Sequence, residues 1–74
     1  MRHYKTIDEL IQARGIKVKH LEKAVGVTPP TLRKLRRDPQ LITIEQGIKL
    51  ARALEVDLQV VIDTALIQIH EVEG

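Results

Sequence analysis

The chain has 74 residues, enough for one small domain whose core is marginal without well-formed helices or a partner chain. It contains no cysteine and no serine, which excludes disulfides, thiolate metal sites and two common catalytic nucleophiles. Residues 16–37 hold seven Lys and Arg against one Glu, whereas residues 57–74 hold four acids and no Lys or Arg. This asymmetry predicts a cationic face for a polyanion and a different task for the C-terminal end.

The first two predicted helices are short, and each ends at a glycine. A capping box at Thr6–Glu9 predicts a helix over 7–14, and Gly15 supplies its left-handed C-terminal residue. A second helix over 18–25 ends at Gly26 in the same way. The apolar positions that recur at helical spacing are Ile7, Leu10, Ile11, Val18, Leu21 and Val25.

The third predicted helix, over 29–37, concentrates the positive charge. Thr28–Pro29 is a favourable N-cap and first position, and Asp38–Pro39 breaks the helix. Leu32 and Leu35 are expected to face inward. The remaining large side chains are too polar to be buried together, and most must face solvent or a ligand: Arg33, Lys34, Arg36 and Arg37.

A fourth helix is predicted over 44–55, after a second capping box at Thr43–Gln46. Gly47 lies on its apolar face, where the cost of about 1 kcal/mol relative to Ala suggests that another helix passes close by. The expected apolar stripe comprises Ile44, Ile48, Leu50, Ala51 and Leu54.

A fifth helix is predicted from Leu58 through about residue 66, with Asp57 as N-cap. The β-branched residues 60–62 and the partial alternation over 66–70 leave the remainder open between helix and strand. Helical spacing gives an apolar stripe of Leu58, Val61, Ile62, Ala65, Ile69 and Val72.

The second and third helices, joined by a tight turn, have the spacing of a helix-turn-helix. Gly15–Thr28 resembles the first helix and turn of the lambda-repressor-like (Cro/Xre) family, and Thr31–Leu35 resembles its recognition helix. Leu50–Leu58 resembles the Leu-Ala-x-Ala-Leu-x-Val-x-Leu run that joins the family's fourth and fifth helices. The resemblance covers roughly residues 6–62.

This resemblance implies a compact, all-α, five-helix domain over residues 1–74, with the helix-turn-helix at about 17–37. It further implies sequence-specific binding of double-stranded DNA by a homodimeric, repressor-type transcriptional regulator. Because the sequence has no Gly-rich phosphate loop, nucleophile elbow or paired catalytic acids, we expect no enzymatic activity and no cofactor. In the family, Thr28 caps the recognition helix and often touches phosphate, while positions 29, 30 and 34 usually face base edges. The implied DNA-binding residues are Lys17, Lys19, Thr28, Pro29, Pro30, Thr31, Arg33, Lys34 and Arg37. The alternative is an ordinary solvated helix face.

Three departures from the family pattern bear on specificity. Val18 stands where the family often has a phosphate-binding Gln, and Glu22 stands where it has a small residue. Pro29–Pro30 offers base edges only apolar contact, for example to a thymine methyl. We therefore expect weak or guanine-biased direct recognition by Arg33 and Lys34, with phosphate contacts dominating.

The C-terminal segment 58–74 has two interpretations. It either completes the core of one chain or forms a self-associating seam, and two-fold pairing would place two recognition helices about 34 Å apart. A second functional hypothesis, an antitoxin or another interaction module with a toxin or other protein partner, is motivated by the acidic, apolar end after Asp57. The residues expected in the dimer seam are Val61, Ala65, Leu66, Ile69 and Val72.

Other site classes have little support in the sequence. His3, His20 and His70 are far apart and lie near no carboxylate pair with metal-ligand spacing, so we expect no metal site. No apolar run approaches the roughly 20 residues of a membrane span, and residues 1–5 are too polar to begin a signal peptide. We expect a cytoplasmic protein.

Overall fold

The computed structural model describes residues 4–73, with side chains placed from Tyr4 to His70. In this range the chain forms helices and no strand, which confirms the predicted all-α, five-helix class. A short 3₁₀ turn, which the sequence did not predict, spans Pro39–Leu41 between the third and fourth helices. The helices are α1 (Ile7–Arg14), α2 (Val18–Val25), α3 (Pro29–Arg37), α4 (Ile44–Leu54) and α5 (Leu58–Glu73).

Residues beside the helices explain where they begin and end. The Thr6 hydroxyl accepts from the Glu9 amide at 3.0 Å, which is one half of the predicted capping box. The box at Thr43–Gln46 is complete, with bonds of 3.1 and 3.0 Å. Gly15 and Gly26 adopt left-handed φ angles of 68° and 79°, and so close α1 and α2 as predicted.

Two boundaries differ from the prediction or go beyond it. α4 ends at Leu54, because Glu55 takes the left-handed C-terminal position with φ 58°. α5 runs without interruption to Glu73, so the segment after residue 66 is helical rather than extended. None of the helices within residues 4–73 combines the length and apolar character that a membrane crossing requires.

The core lies where α4 packs against α2 and α5, with α1 closing one side. The predicted inward residues of α1 and α3 are all buried. The stripe predicted for α4 is partly wrong, since the Ile44 side chain is 79% exposed and Ile48 is also exposed. The buried face of α4 is instead Gly47, Leu50, Ala51 and Leu54.

Neighbouring side chains approach Gly47 without crowding it. A β-carbon built at this position would lie 3.5 Å from Leu58 Cδ1 and 3.8 Å from Ile42 Cγ2, which are ordinary van der Waals distances. The predicted approach of another helix is therefore confirmed only as contact with a side chain of α5.

The inward face of α5 is mixed in polarity. Val61, Thr64 and Gln68, spaced at i, i+3 and i+7, are its buried residues within the part of the chain whose side chains are described. Ile62 and Leu66, by contrast, are exposed. The apolar stripe expected for this helix is therefore shared between the core and the surface.

Candidate nucleic-acid interface

α3 is anchored by one face and presents the other to solvent. Leu32 and Leu35 are buried against the domain core and fix the rotation of the helix about its axis. The side chains of Arg33, Lys34 and Arg37 are consequently exposed. Because Arg and Lys donate several hydrogen bonds and carry full positive charge, this face suits a phosphate-rich surface or a guanine edge.

The fourth cation of α3 has a structural contact. Arg36 is only half-exposed, and its Nε lies 2.6 Å from Oδ1 of Asp8, at the start of α1. Arg37 contacts its neighbour Asp38 at 3.1 Å, but its side chain is 72% exposed. Arg36 therefore holds α3 against α1, whereas Arg37 can exchange its weak surface pair for a phosphate.

The N-terminus of α3 offers fewer donors than an ordinary helix start. Thr28 is the N-cap of α3, as predicted. Its hydroxyl donates a hydrogen bond to the Thr31 hydroxyl at 2.9 Å and does not accept one from a backbone amide of α3. Pro29 and Pro30 have no N–H group, and the Leu32 amide already donates to the Thr28 carbonyl at 2.9 Å. Thr31 is thus the first residue of α3 that can offer an amide to a phosphate, so the capacity of this helix to bind anions resides mainly in its side chains.

The start of α2 supplies two further exposed cations, Lys17 and Lys19. Lys17 is the N-cap, with extended backbone angles. Val18 and Glu22, the two departures from the family pattern on this helix, are both half-buried, and Val18 packs against the core.

All of the DNA-binding residues expected from the sequence are exposed. They lie at two places in the fold: the start of α2, and α3 with its N-cap. Sequence reasoning did not assign the Arg36–Asp8 ion pair, since nothing in local spacing links residues 28 positions apart.

Comparison with known families now identifies the domain. Residues 7–61 match the HTH_3 helix-turn-helix family. The chain belongs to the HTH_3 helix-turn-helix family, of Cro/Xre type. Membership implies DNA binding and transcriptional regulation, and the family is not enzymatic. Searches of curated proteins and of solved structures gave no match to the chain.

The HTH_3 match ends inside α5, and the rest of that helix borders an apolar groove beside the start of α4. The groove encloses about 240 Å³. Among the residues expected in a dimer seam, Val61 is buried at its floor, Ala65 and Ile69 are half-buried, and Leu66 is 50% exposed. The Val72 side chain lies outside the described residues.

The histidines do not converge on a site in the described part of the chain. His20 and His70 are both exposed, and His3 lies outside the described residues. Within residues 4–70, the structure brings together no group of three His, Asp or Glu side chains that could hold a metal ion.

Proposed function

We propose that the chain places α3 in the major groove of double-stranded DNA and acts as a dimeric, repressor-type regulator of transcription. The observation that carries this proposal is the division of α3 into two faces. Leu32 and Leu35 are buried, and Arg33, Lys34 and Arg37 are exposed. The major groove is wide enough to admit an α-helix presented in this way.

The composition of the interface favours phosphate contacts over base recognition. Arg33 and Lys34 are the side chains best suited to guanine, through its O6 and N7 acceptors. Pro29 and Pro30 are exposed but can offer only apolar contact, which suits a thymine methyl. We expect binding with a steep salt dependence and modest discrimination among sequences.

A binding titration tests the DNA-binding part. The double variant Arg33→Ala/Lys34→Ala is compared with Lys49→Ala/Arg52→Ala, which removes the same charge from exposed positions on α4. We expect the first variant to lose at least about 2 kcal/mol of binding free energy, or about 30-fold in affinity. Its slope of log affinity against log salt should also become shallower by up to about 2 if both side chains contact phosphate.

The control should retain most of the affinity, since only total charge changes. Equal losses in the two variants would show that α3 has no special role. If the wild type binds no selected duplex at about 50 mM salt, the proposal that this chain binds DNA by itself is wrong.

Dimerisation is proposed from the groove beside α5. Ile62 and Leu66 are exposed apolar side chains at its edge, and Ile44 is the most exposed large apolar residue on α4. The principal extents of one domain, 32 × 25 × 20 Å, are of the same order as the spacing of about 34 Å between successive major grooves, so two domains can be accommodated at adjacent half-sites.

The oligomeric state is tested by light scattering with Leu66→Lys. The wild type should have the mass of a dimer, and the variant should shift toward the monomer and bind an operator more weakly. Gln12→Lys, at an exposed position of α1, adds the same charge and should leave the mass unchanged. A wild-type monomer at all concentrations would contradict this part of the proposal.

A second candidate function uses the same groove for a different protein, as an antitoxin would. The exposed apolar residues around the groove support this alternative as well, because a groove of this kind does not specify the identity of its partner. A monomeric wild type that forms a defined complex with the product of an adjacent gene, abolished by Leu66→Lys, would favour it over self-association.

A further inference from the structure

Gln68 joins three helices through one buried side chain. It is 8% exposed, and its Oε1 accepts a hydrogen bond from the Ile7 amide at 2.8 Å. Its Nε2 donates to the carbonyl oxygens of Arg36 and Arg37 at 2.9 and 3.3 Å. The last turn of α5 with described side chains is thereby tied to the start of α1 and to the end of α3.

The groups that Gln68 bonds are those that a helix cannot satisfy by itself. Ile7 is the first residue of α1, so its amide has no partner within the helix. Arg36 and Arg37 are the last residues of α3, so their carbonyls have none either. A side-chain amide is suited to this junction because it provides one acceptor and two donors, which no carboxylate, ammonium or hydroxyl group does.

The bonded carbonyls belong to the helix proposed to enter DNA. Arg37 is itself an exposed cation of the proposed interface. Lys34, another of these cations, lies one turn before Asp38, and the Asp38 amide donates a hydrogen bond to the Lys34 carbonyl at 2.8 Å. The Arg36–Asp8 ion pair ties α3 to α1 at the same end, but its side chains are 28% and 54% exposed, so water weakens it. The buried amide is the stronger of the two constraints on this end of α3.

We propose that Gln68 is a positioning residue for DNA binding, which sets the orientation of α3 relative to the rest of the domain without touching DNA. The proposal rests on the function proposed above. Gln68 lies beyond residue 61, where the HTH_3 match ends, so this constraint comes from a part of α5 that the match does not cover. Loss of the Gln68 hydrogen bonds leaves the core intact but lets the cationic face of α3 tilt away from the DNA major groove.

Two substitutions at Gln68 and one control test the role. Gln68→Leu removes all three side-chain hydrogen bonds that residue 68 makes to α1 and α3. Gln68→Glu keeps an acceptor for the Ile7 amide but replaces the donor facing Arg36 and Arg37 with a carboxylate oxygen. The control, Thr64→Ala, alters the buried residue one turn earlier on the same face of α5 and leaves the Gln68 bonds in place.

Affinity is measured for a selected duplex and for an unrelated duplex, at a temperature where melting curves show each variant to be folded. We expect both Gln68 variants to lose at least about fivefold in affinity for the selected duplex. The ratio of the affinity for the selected duplex to that for the unrelated duplex should also decrease. Thr64→Ala should lower the melting temperature yet change neither quantity by more than about twofold. A loss of stability alone would not change this affinity ratio, because a smaller folded fraction lowers the apparent affinity for both duplexes by the same factor.

Selected-duplex affinity within about twofold of wild type, in a folded Gln68→Leu or Gln68→Glu variant, would overturn the positioning role. If neither variant folds, hydrogen exchange of the Gln68 side-chain amide in the wild type decides: exchange at the rate of a free amide would overturn the proposal, and protection that increases on binding the selected duplex would support it. These outcomes presuppose wild-type DNA binding, so failure of the proposed function is recognised separately, in the wild-type titration.

Discussion

Gly47 is a position where the structure predicts that a substitution will stabilise the domain. It is buried within α4, and a methyl group added there would meet Leu58 and Ile42 at 3.5 and 3.8 Å, without overlap. Ala is favoured over Gly in a helix interior by about 1 kcal/mol, and burying one methyl group adds up to about 0.8 kcal/mol. Gly47→Ala should therefore raise the free energy of unfolding by about 1 to 2 kcal/mol.

Thermal melting followed by circular dichroism measures this effect. For a domain of this size, 1 kcal/mol corresponds to about 4–8 °C in Tm, so the gain should be easily resolved. Gly26→Ala is the matched control and should destabilise by about 1 kcal/mol, because φ there is 79° and Ala is strained in that conformation. An unchanged or lower Tm for Gly47→Ala would mean that α4 and α5 approach more closely than the distances to Leu58 and Ile42 imply.

Two further predictions concern helix ends. Glu55→Gly should raise stability by up to about 1 kcal/mol in urea denaturation, because Glu55 holds a left-handed φ of 58° that Gly adopts without strain; a loss would indicate that the Glu55 side chain makes a stabilising contact. Thr43→Ala should cost about 1 kcal/mol by the same assay, because it removes a complete capping box. Thr28→Ala should cost less, because the Thr28 hydroxyl bonds only the Thr31 hydroxyl; equal costs would contradict the difference between the two caps.

The sequence predicted helix bounds well wherever local chemistry determines them. α1 and α2 end at glycines in the left-handed region, and α3 begins at Thr28–Pro29, so the predicted and observed bounds agree for these three helices. The end of α4 was missed by one residue because Glu55, rather than a glycine, takes the left-handed position. Nothing in the propensity of Glu marks it for that conformation.

The exposed cationic face of α3 was predictable for a similar reason. On a helix nine residues long, two leucines three positions apart define the buried side, and the intervening cations must then be exposed. The structure places the two prolines noted in the sequence at the first two positions of α3. They remove two of its first amides, so this helix terminus is a weaker phosphate site than most.

The buried face of α5 could not be predicted from apolar periodicity, because two of its three buried positions are polar. Gln68 is buried because the ends of α1 and α3 bring unpaired backbone groups to that face, and such groups need polar partners. The end of α4 is treated in the same way, since Arg14 Nε donates to the Leu54 carbonyl at 2.9 Å. In a domain this small the helix ends lie close to the core, so side chains from neighbouring helices close them. The end of α3, the helix proposed to enter DNA, is closed in this way by Gln68 of α5, which lies 31 positions further along the chain.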